Sequence, residues 1–267
     1  MPEGHTIHRA ARLQNTKFRG AVIQSSSPQG RFADGAARVN GVELRRIHAN
    51  GKHLFYDFVS GDVVHIHLGL FGKFRLEALP AAEPSPNCRW LMWTETHRLH
   101  LAGPTTCEVI GPEQMQTIRD RLGPDPLLKH RDDPVDKLAG RLARRSAPIG
   151  AAIMDQKVIA GIGNVYRSEL LFLIGLDPFT PARNVPRSHL SALWAEAVRQ
   201  LTRGEKSGRI VTTEPVDVGR TRRSDIKAGE RTYCYKRMGQ PCRRCGEPIR
   251  RANIDGRNVW WCPTDQK

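Results

Sequence analysis

Acidic residues are scarce in this chain: 27 aspartates and glutamates face 42 lysines and arginines, a formal charge of +15 over 267 residues. A surface so short of negative charge excludes basic partners and attracts polyanions, of which nucleic acid is the commonest. Long apolar runs are missing too, and none reaches the roughly 18 residues of a spanning helix. The opening MPEGHTIHRA lacks the basic-then-apolar layout of a secretion signal, so a cytoplasmic protein with no membrane partner is expected. Aromatic residues make up only 6%, yet 39% of the chain is hydrophobic, enough for folded cores in one large domain or two ordinary ones. Disulfides are not expected without a secretory context, and four of the six cysteines (88, 107, 234, 242, 245, 262) crowd into the last 34 residues, which points to metal.

The hydropathy pattern changes along the chain. A short helix over Thr6–Asn15 is followed by strand-like alternation, including a hairpin from Phe55–Val59 through Ser60-Gly61-Asp62 to Val63–Leu68, and further strands at Cys88–Met92 and Arg98–Leu101. Turn formers cluster at Gly123-Pro124-Asp125-Pro126 and His130–Pro134, marking a linker. Beyond it the period turns helical. Ser146 is placed to cap a helix through Ile149, Ala152 and Ile153; a second helix starts at Asn164, and a third, capped by Ser188, runs to Arg203. Residues 204–231 read as a mobile polar connector. From 201 onward 16 basic residues face 8 acidic ones, so +8 of the charge lies in the last quarter.

Three constellations carry chemistry. Cys242-Arg243-Arg244-Cys245 and, sixteen residues later, Cys262-Pro263-Thr264-Asp265 have the spacing of a zinc ribbon, two tight turns completing one tetrahedron. Asp265 stands fourth; Cys234 as fourth ligand, or a hairpin without metal, are the alternatives. The arginine-bearing loop between the knuckles suits a phosphate backbone. Glycines in Ala160-Gly161-Ile162-Gly163-Asn164-Val165-Tyr166 let a helix start close to a ligand, and phosphate is the natural occupant. At the start, removal of methionine would leave Pro2 as a secondary amine beside Glu3, able to add to an aldehydic carbon and form an iminium.

The Pro-Glu-Gly start, Gly-Lys-His-Leu at 51–54, the glycine-bearing core at 155–169 and the terminal finger together resemble the formamidopyrimidine-DNA glycosylase/endonuclease VIII family, over nearly the whole chain. Pro-Glu-Gly leans toward the endonuclease VIII branch, which favours oxidised pyrimidines. The resemblance implies a bifunctional glycosylase and abasic-site lyase of base-excision repair acting through a Schiff base on Pro2, with β- and δ-elimination. It implies acid/base assistance from Glu3, a strand-cleavage role for Lys52, and phosphate contact with support for the second elimination from Arg257. It further implies DNA contacts at Arg121 and Asn164, and Leu70 as a wedge filling the emptied stack. The formamidopyrimidine branch's Asp-Pro-Arg-Arg-Phe-Gly run appears here as Gly103-Pro104-Thr105-Thr106-Cys107-Glu108, without the arginine and phenylalanine that face the orphaned base.

Other candidates read more plainly. His65 and His67 share one strand face and are expected to make ordinary hydrogen bonds rather than a metal pair. Trp90, Trp93, Trp260 and Trp261 are read as packing, and Cys88 and Cys107 as small buried hydrophobes. The expected fold is α+β: a β-rich domain of sandwich type over 1–122, a helical helix-two-turn-helix domain over 123–230 and a zinc-finger-like hairpin over 231–267. The expected protein is a monomer associated with the nucleoid, its partner damaged, abasic or single-stranded DNA and its zinc purely structural. Two rivals remain at this stage: a non-catalytic DNA-binding relative, and a basic zinc-ribbon protein of the ribosome or RNA polymerase.

Overall fold

A computed structural model describes residues 2–267; Met1 lies outside the described residues. By its internal contacts the chain divides into two compact units, Met1–Arg121 and Leu122–Lys267.

In the first unit the helix α1 (Gly4–Phe18) precedes β1 (Val22–Ser26), α2 (Ala33–Val39), β2 (Val42–Asn50), β3 (His53–Phe58), β4 (Val63–His67), β5 (Lys73–Ala78), β6 (Cys88–Trp93), β7 (His97–Ala102), β8 (Thr106–Ile110) and α3 (Pro112–Arg121). The strands form one antiparallel sheet in the order β5-β7-β6-β1-β2-β3-β4-β8. Strand β1 is shared. Val22 and Ile23 pair with β2, whereas Gln24 to Ser26 pair with β6, so the sheet turns there and its halves close over one core. Tyr56 of β3 meets Trp90 of β6 edge-on at 4.9 Å across that core, which explains the sandwich signal in the sequence. Alternation decides the faces: Leu54, Tyr56, Phe58, Val64 and Ile66 enter the core, while His53, Phe55, Asp57, His65 and His67 point the other way. Under α3 a small second cluster forms from Phe55, Val63, Ile110 and Met115.

The second unit holds α4 (Pro134–Leu142), α5 (Ile149–Ala152), α6 (Asn164–Leu173), α7 (Arg187–Ser207) and the hairpin β9 (Arg250–Ile254) with β10 (Arg257–Trp261). Asp133 caps α4, its side chain accepting from the Val135 amide at 2.8 Å, with Pro134 at the first helical position. The two caps expected from the sequence, Ser146 and Ser188, are corrected. Helix α5 begins after Pro148 and is only four residues long, and α7 begins after Pro186, which leaves Ser146 outside and Ser188 within the first turn. In both places a proline supplies the boundary through its fixed φ, and no side-chain cap is made.

Residues 204–231 also depart from expectation. Helix α7 continues to Ser207, and the remainder folds into short 3-10 turns at Pro215–Val218, Arg223–Asp225 and Ala228–Glu230. The polar residues pair with one another: Glu214 accepts from Arg199 at 2.7 Å and Arg203 at 3.0 Å, and Arg220 binds Glu230 at 3.0 Å. Composition alone makes such a segment look solvated, but internal pairing gives it a defined path. Among the described residues no helix is long and apolar enough to cross a membrane.

Candidate active site and metal centre

In the first unit the chain's start lies against the sheet. Pro2 lines a cavity of about 480 Å³ together with Thr6, Arg9, Leu13, Leu68 and Lys73. Glu3 follows at the N-cap of α1 and is fully buried, its carbonyl accepting from Thr6 at 2.8 Å. Lys52 sits in the turn between β2 and β3, where Gly51 takes a φ of +59°. The Lys52 charge adds to burial and to neighbouring imidazoles in keeping His53 and His67 neutral; burial is the largest cause, and His53 is lowered to about 3.

Leu70 occupies the connection between β4 and β5, and Leu68, Gly72 and Phe74 on either side of it line the same cavity as Pro2. A side chain at Gly69 would strike the Thr105 hydroxyl and one at Gly72 the Leu68 carbonyl, so this turn is tight at both ends. It presents Leu70 at 59% exposure and Phe71 at 85%. Phe71 was missed by the sequence reading. The signal was an aromatic residue between two glycine-flanked positions, where no periodicity gives it a buried face. Arg121 is the last residue of α3 and is exposed.

In the second unit Asn164 opens α6 and accepts a hydrogen bond from Arg167, which is fully buried. Arg167 also donates to the carbonyls of Asn258 at 2.7 Å and Arg257 at 3.4 Å. This guanidinium therefore brings Asn164 and Arg257 together, and with Asp155 and Asp255 all but Asn164 line a cavity of about 210 Å³. Arg257 is presented by a tight hairpin turn whose central residues, Asp255 and Gly256, both have positive φ, at 52° and 74°. A second buried hub was also missed. The Glu169 carboxylate accepts from the amides of Tyr233 at 2.7 Å and of Cys234 and Tyr235 at 2.8 Å, and from the Thr212 hydroxyl, so it ties α6 to the chain entering the finger. Arg167 and Glu169 were hidden in a helix otherwise read by its apolar face.

The finger resolves the choice of fourth ligand. Ligand atoms of Cys242, Cys245, Cys262 and Asp265 all lie within 4.8 Å of one another, with Cys242 Sγ 2.9 Å from Asp265 Oδ2. Cys234 is outside this set; its buried thiol lies 4.0 Å from Gln266 Oε1 and is pushed up, first by burial and then by Glu169. Three sulfurs and one carboxylate oxygen suit Zn²⁺ and complete a tetrahedron, so the zinc they hold is structural. Cys88 is buried; Cys107 is half-buried, and desolvation raises its thiol to about 12.

Three family models cover most of the chain: the formamidopyrimidine-DNA glycosylase N-terminal domain over residues 1–109, the formamidopyrimidine-DNA glycosylase H2TH domain over 122–215, and the zinc finger found in FPG and IleRS over 239–267. The chain belongs to the formamidopyrimidine-DNA glycosylase/endonuclease VIII family. Endonuclease 8 1 of Mycobacterium tuberculosis is 46% identical over the full length of both chains. Formamidopyrimidine-DNA glycosylase of Gloeobacter violaceus is 30% identical, covering 100% of this chain and 97% of its own. In fold, the chain resembles Lactococcus lactis Fpg solved with DNA containing an abasic site, at a TM-score of 0.80, 22% identity and 99% coverage of each chain. As a family member it is a DNA glycosylase of base-excision repair with abasic-site lyase activity, acting on DNA and carrying a zinc finger.

Proposed function

We propose that the chain removes oxidised pyrimidines through Pro2 and then cuts the abasic strand by successive β- and δ-elimination. The observation that carries this reading is Pro2 on the wall of a cavity that also holds the cations Arg9 and Lys73. With Met1 removed, the proline nitrogen is a secondary amine. It attacks C1′ of the damaged nucleotide as the bond to the base breaks with its electron pair; the nitrogen loses its proton, the C1′–O4′ bond opens with a proton taken up by O4′, and the iminium so formed draws electrons from C2′. Loss of the C2′ proton then expels the 3′ phosphate, and a second proton loss expels the 5′ phosphate. Glu3 serves as acid/base at the sugar, Lys52 supports the elimination, and Arg257 neutralises phosphate charge in the second cut. Asn164, held by Arg167, and Arg121 contact phosphates, while Leu70 and Phe71 supply apolar bulk for the vacated stack.

Two features support the pyrimidine preference. The β7–β8 connection is only Gly103-Pro104-Thr105, with no arginine or phenylalanine to face the opposite base, and the relative at 46% identity is named an endonuclease 8. Borohydride trapping on abasic oligonucleotides tests the core of the reading. A covalent adduct mapping to Pro2, absent in Pro2→Thr, is expected, together with an intact mass lacking the initiator methionine. Undiminished trapping by Pro2→Thr overturns it. A panel of lesions in single- and double-stranded DNA reads the substrate preference.

A further inference from the structure

The polar chain that follows α7 folds back against the end of that helix, and between them lies a cavity of about 350 Å³. Arg203 and Lys206 reach it from one face of α7, Arg209 follows the helix end, and Arg223 and Arg231 come from the folded-back segment. Five cations share this wall, and no carboxylate lines it. Val211 and Ile226 give it an apolar patch, and Ser207 and Ser224 add hydroxyls.

Backbone contacts hold the arrangement. The Arg231 carbonyl accepts from the Thr212 amide at 2.8 Å and from the Thr212 hydroxyl at 3.1 Å, which fixes where the Arg231 side chain begins. The Arg223 guanidinium donates to the carbonyls of Val211 and Thr213. Charge, however, is not balanced. One carboxylate, Glu214, is shared by Arg199 at 2.7 Å, Arg203 at 3.0 Å and Arg223 at 3.7 Å, while Arg209 and Arg231 form no ion pair among the described residues. Arg231 Nε is buried and has no hydrogen-bond partner among the described residues. Burial lowers Arg223 and the neighbouring Arg203 charge lowers it further, so these guanidiniums press on one another. Cations in the last turns of a helix offset its dipole, which accounts for Arg203 and Lys206. It does not account for Arg209, Arg223 and Arg231, which lie outside the helix.

We propose that this cavity binds the phosphoryl group of a sugar phosphate, with Arg209 and Arg231 as its principal ligands and the sugar against Val211 and Ile226. An anion there relieves the repulsion and gives the buried Arg231 N–H an acceptor, and guanidinium forks match phosphate oxygens. The apolar patch favours a phosphate carried on carbon over a bare inorganic ion. Two sources share this chemistry: the backbone of DNA, on which the family acts, and a free mononucleotide. The volume, at the small end of ligand cavities, suits one nucleotide-sized unit. Neither Asn164 nor Arg257 lines the cavity, so it is a site additional to theirs, and it draws on none of the Pro2 chemistry.

The arginine Nε–H resonances of the full, zinc-loaded chain read the site directly. Deoxyadenosine monophosphate and an undamaged duplex, titrated separately, are the probes; the Arg231 resonance is expected to shift with at least one of them. Deoxyadenosine, which lacks the phosphate, should leave it in place. By calorimetry, Arg209→Gln combined with Arg231→Gln should weaken binding of the mononucleotide about tenfold, the loss expected for charge-assisted hydrogen bonds. Backbone phosphate as the source predicts that duplex displaces the mononucleotide and that the double variant lowers the slope of log K against log salt by about 0.9 for one lost phosphate contact. A free nucleotide as the source predicts an unchanged slope and no displacement. Arg222→Gln, beside the cavity but not on its wall, controls for lost charge and should do neither. An Arg231 resonance that neither probe moves, or an Arg222→Gln effect as large as that of the double variant, overturns the site. The wild-type titration decides even where the double variant is unstable, and because no lesion is present, borohydride trapping at Pro2 stands or falls separately.

Discussion

The two units bury polar groups of opposite character. In the first, the histidines of the β3–β4 face are kept neutral by burial and lie in a line that ends at an exposed carboxylate. In the second, Arg167 and Glu169, two residues apart on α6, are fully buried and are hydrogen-bonded to backbone groups of the finger and its approach. Burial holds these imidazoles neutral, whereas a guanidinium keeps its charge, so the first pattern removes charge from a sheet face and the second fixes a permanent charge in place. The difference shows how one chain buries polar groups in two ways: neutral rings in the sheet, permanent charge in the helix beside the finger.

The comparison breaks most sharply at Glu169. Replacing it with leucine leaves the amides of Tyr233, Cys234 and Tyr235 without their carboxylate acceptor, and a loss of about 3 kcal/mol in unfolding free energy is expected, measured by denaturant titration. Hydrogen exchange should place the loosening in Tyr233–Tyr235 and α6. Unchanged stability would mean that the carboxylate is dispensable and that packing alone holds the finger's approach.

An effect of intermediate size is expected from acid, and it falls on the first unit. His5, lowered to about 4 chiefly by burial, and His53, lowered to about 3, stay neutral in the fold, while the unfolded chain protonates both near their ordinary 6.5. Below that pH the unfolded state binds more protons, so stability falls as pH drops from about 6.5 toward 4, by at most roughly 1.4 kcal/mol per pH unit for each such histidine. Thermal melts at fixed ionic strength across this window check it, and exchange should locate the weakening in the first unit. Stability that rises on acidification would refute the neutral histidine face.

The smallest effect concerns the finger. Asp265→Cys should leave the fold unchanged and slow zinc release to a chelating dye, because a fourth thiolate binds zinc more tightly than a carboxylate; Asp265→Ala should speed it. Equal release from all three forms would show that Asp265 stands beside the metal without ligating it.

Much of this molecule was legible before its coordinates. Period-two alternation marked the β3–β4 hairpin, and cysteine spacing marked the finger, because both signals depend on local geometry that any context preserves. The motif residues Pro2, Lys52, Asn164 and Arg257 were assigned roles by resemblance, since nothing in a lone proline or lysine distinguishes it from a surface residue. Phe71, Arg167 and Glu169 were missed because their meaning comes from what they do or do not touch.

By itself the sequence determined the charge that seeks a polyanion, the change from a strand-like to a helical period along the chain, and three thiols and a carboxylate on two turns. Only the tertiary structure decided that Asp265 rather than Cys234 joins the metal cluster, that residues 204–231 follow an ordered path, and that His53, His65 and Glu108 share one line of hydrogen bonds. The reason is physical: a periodicity or a spacing is a property of neighbours along the chain, whereas ligation, ion pairing and hydrogen bonding need atoms within about 3 Å, and strand pairing sets which distant residues come that close.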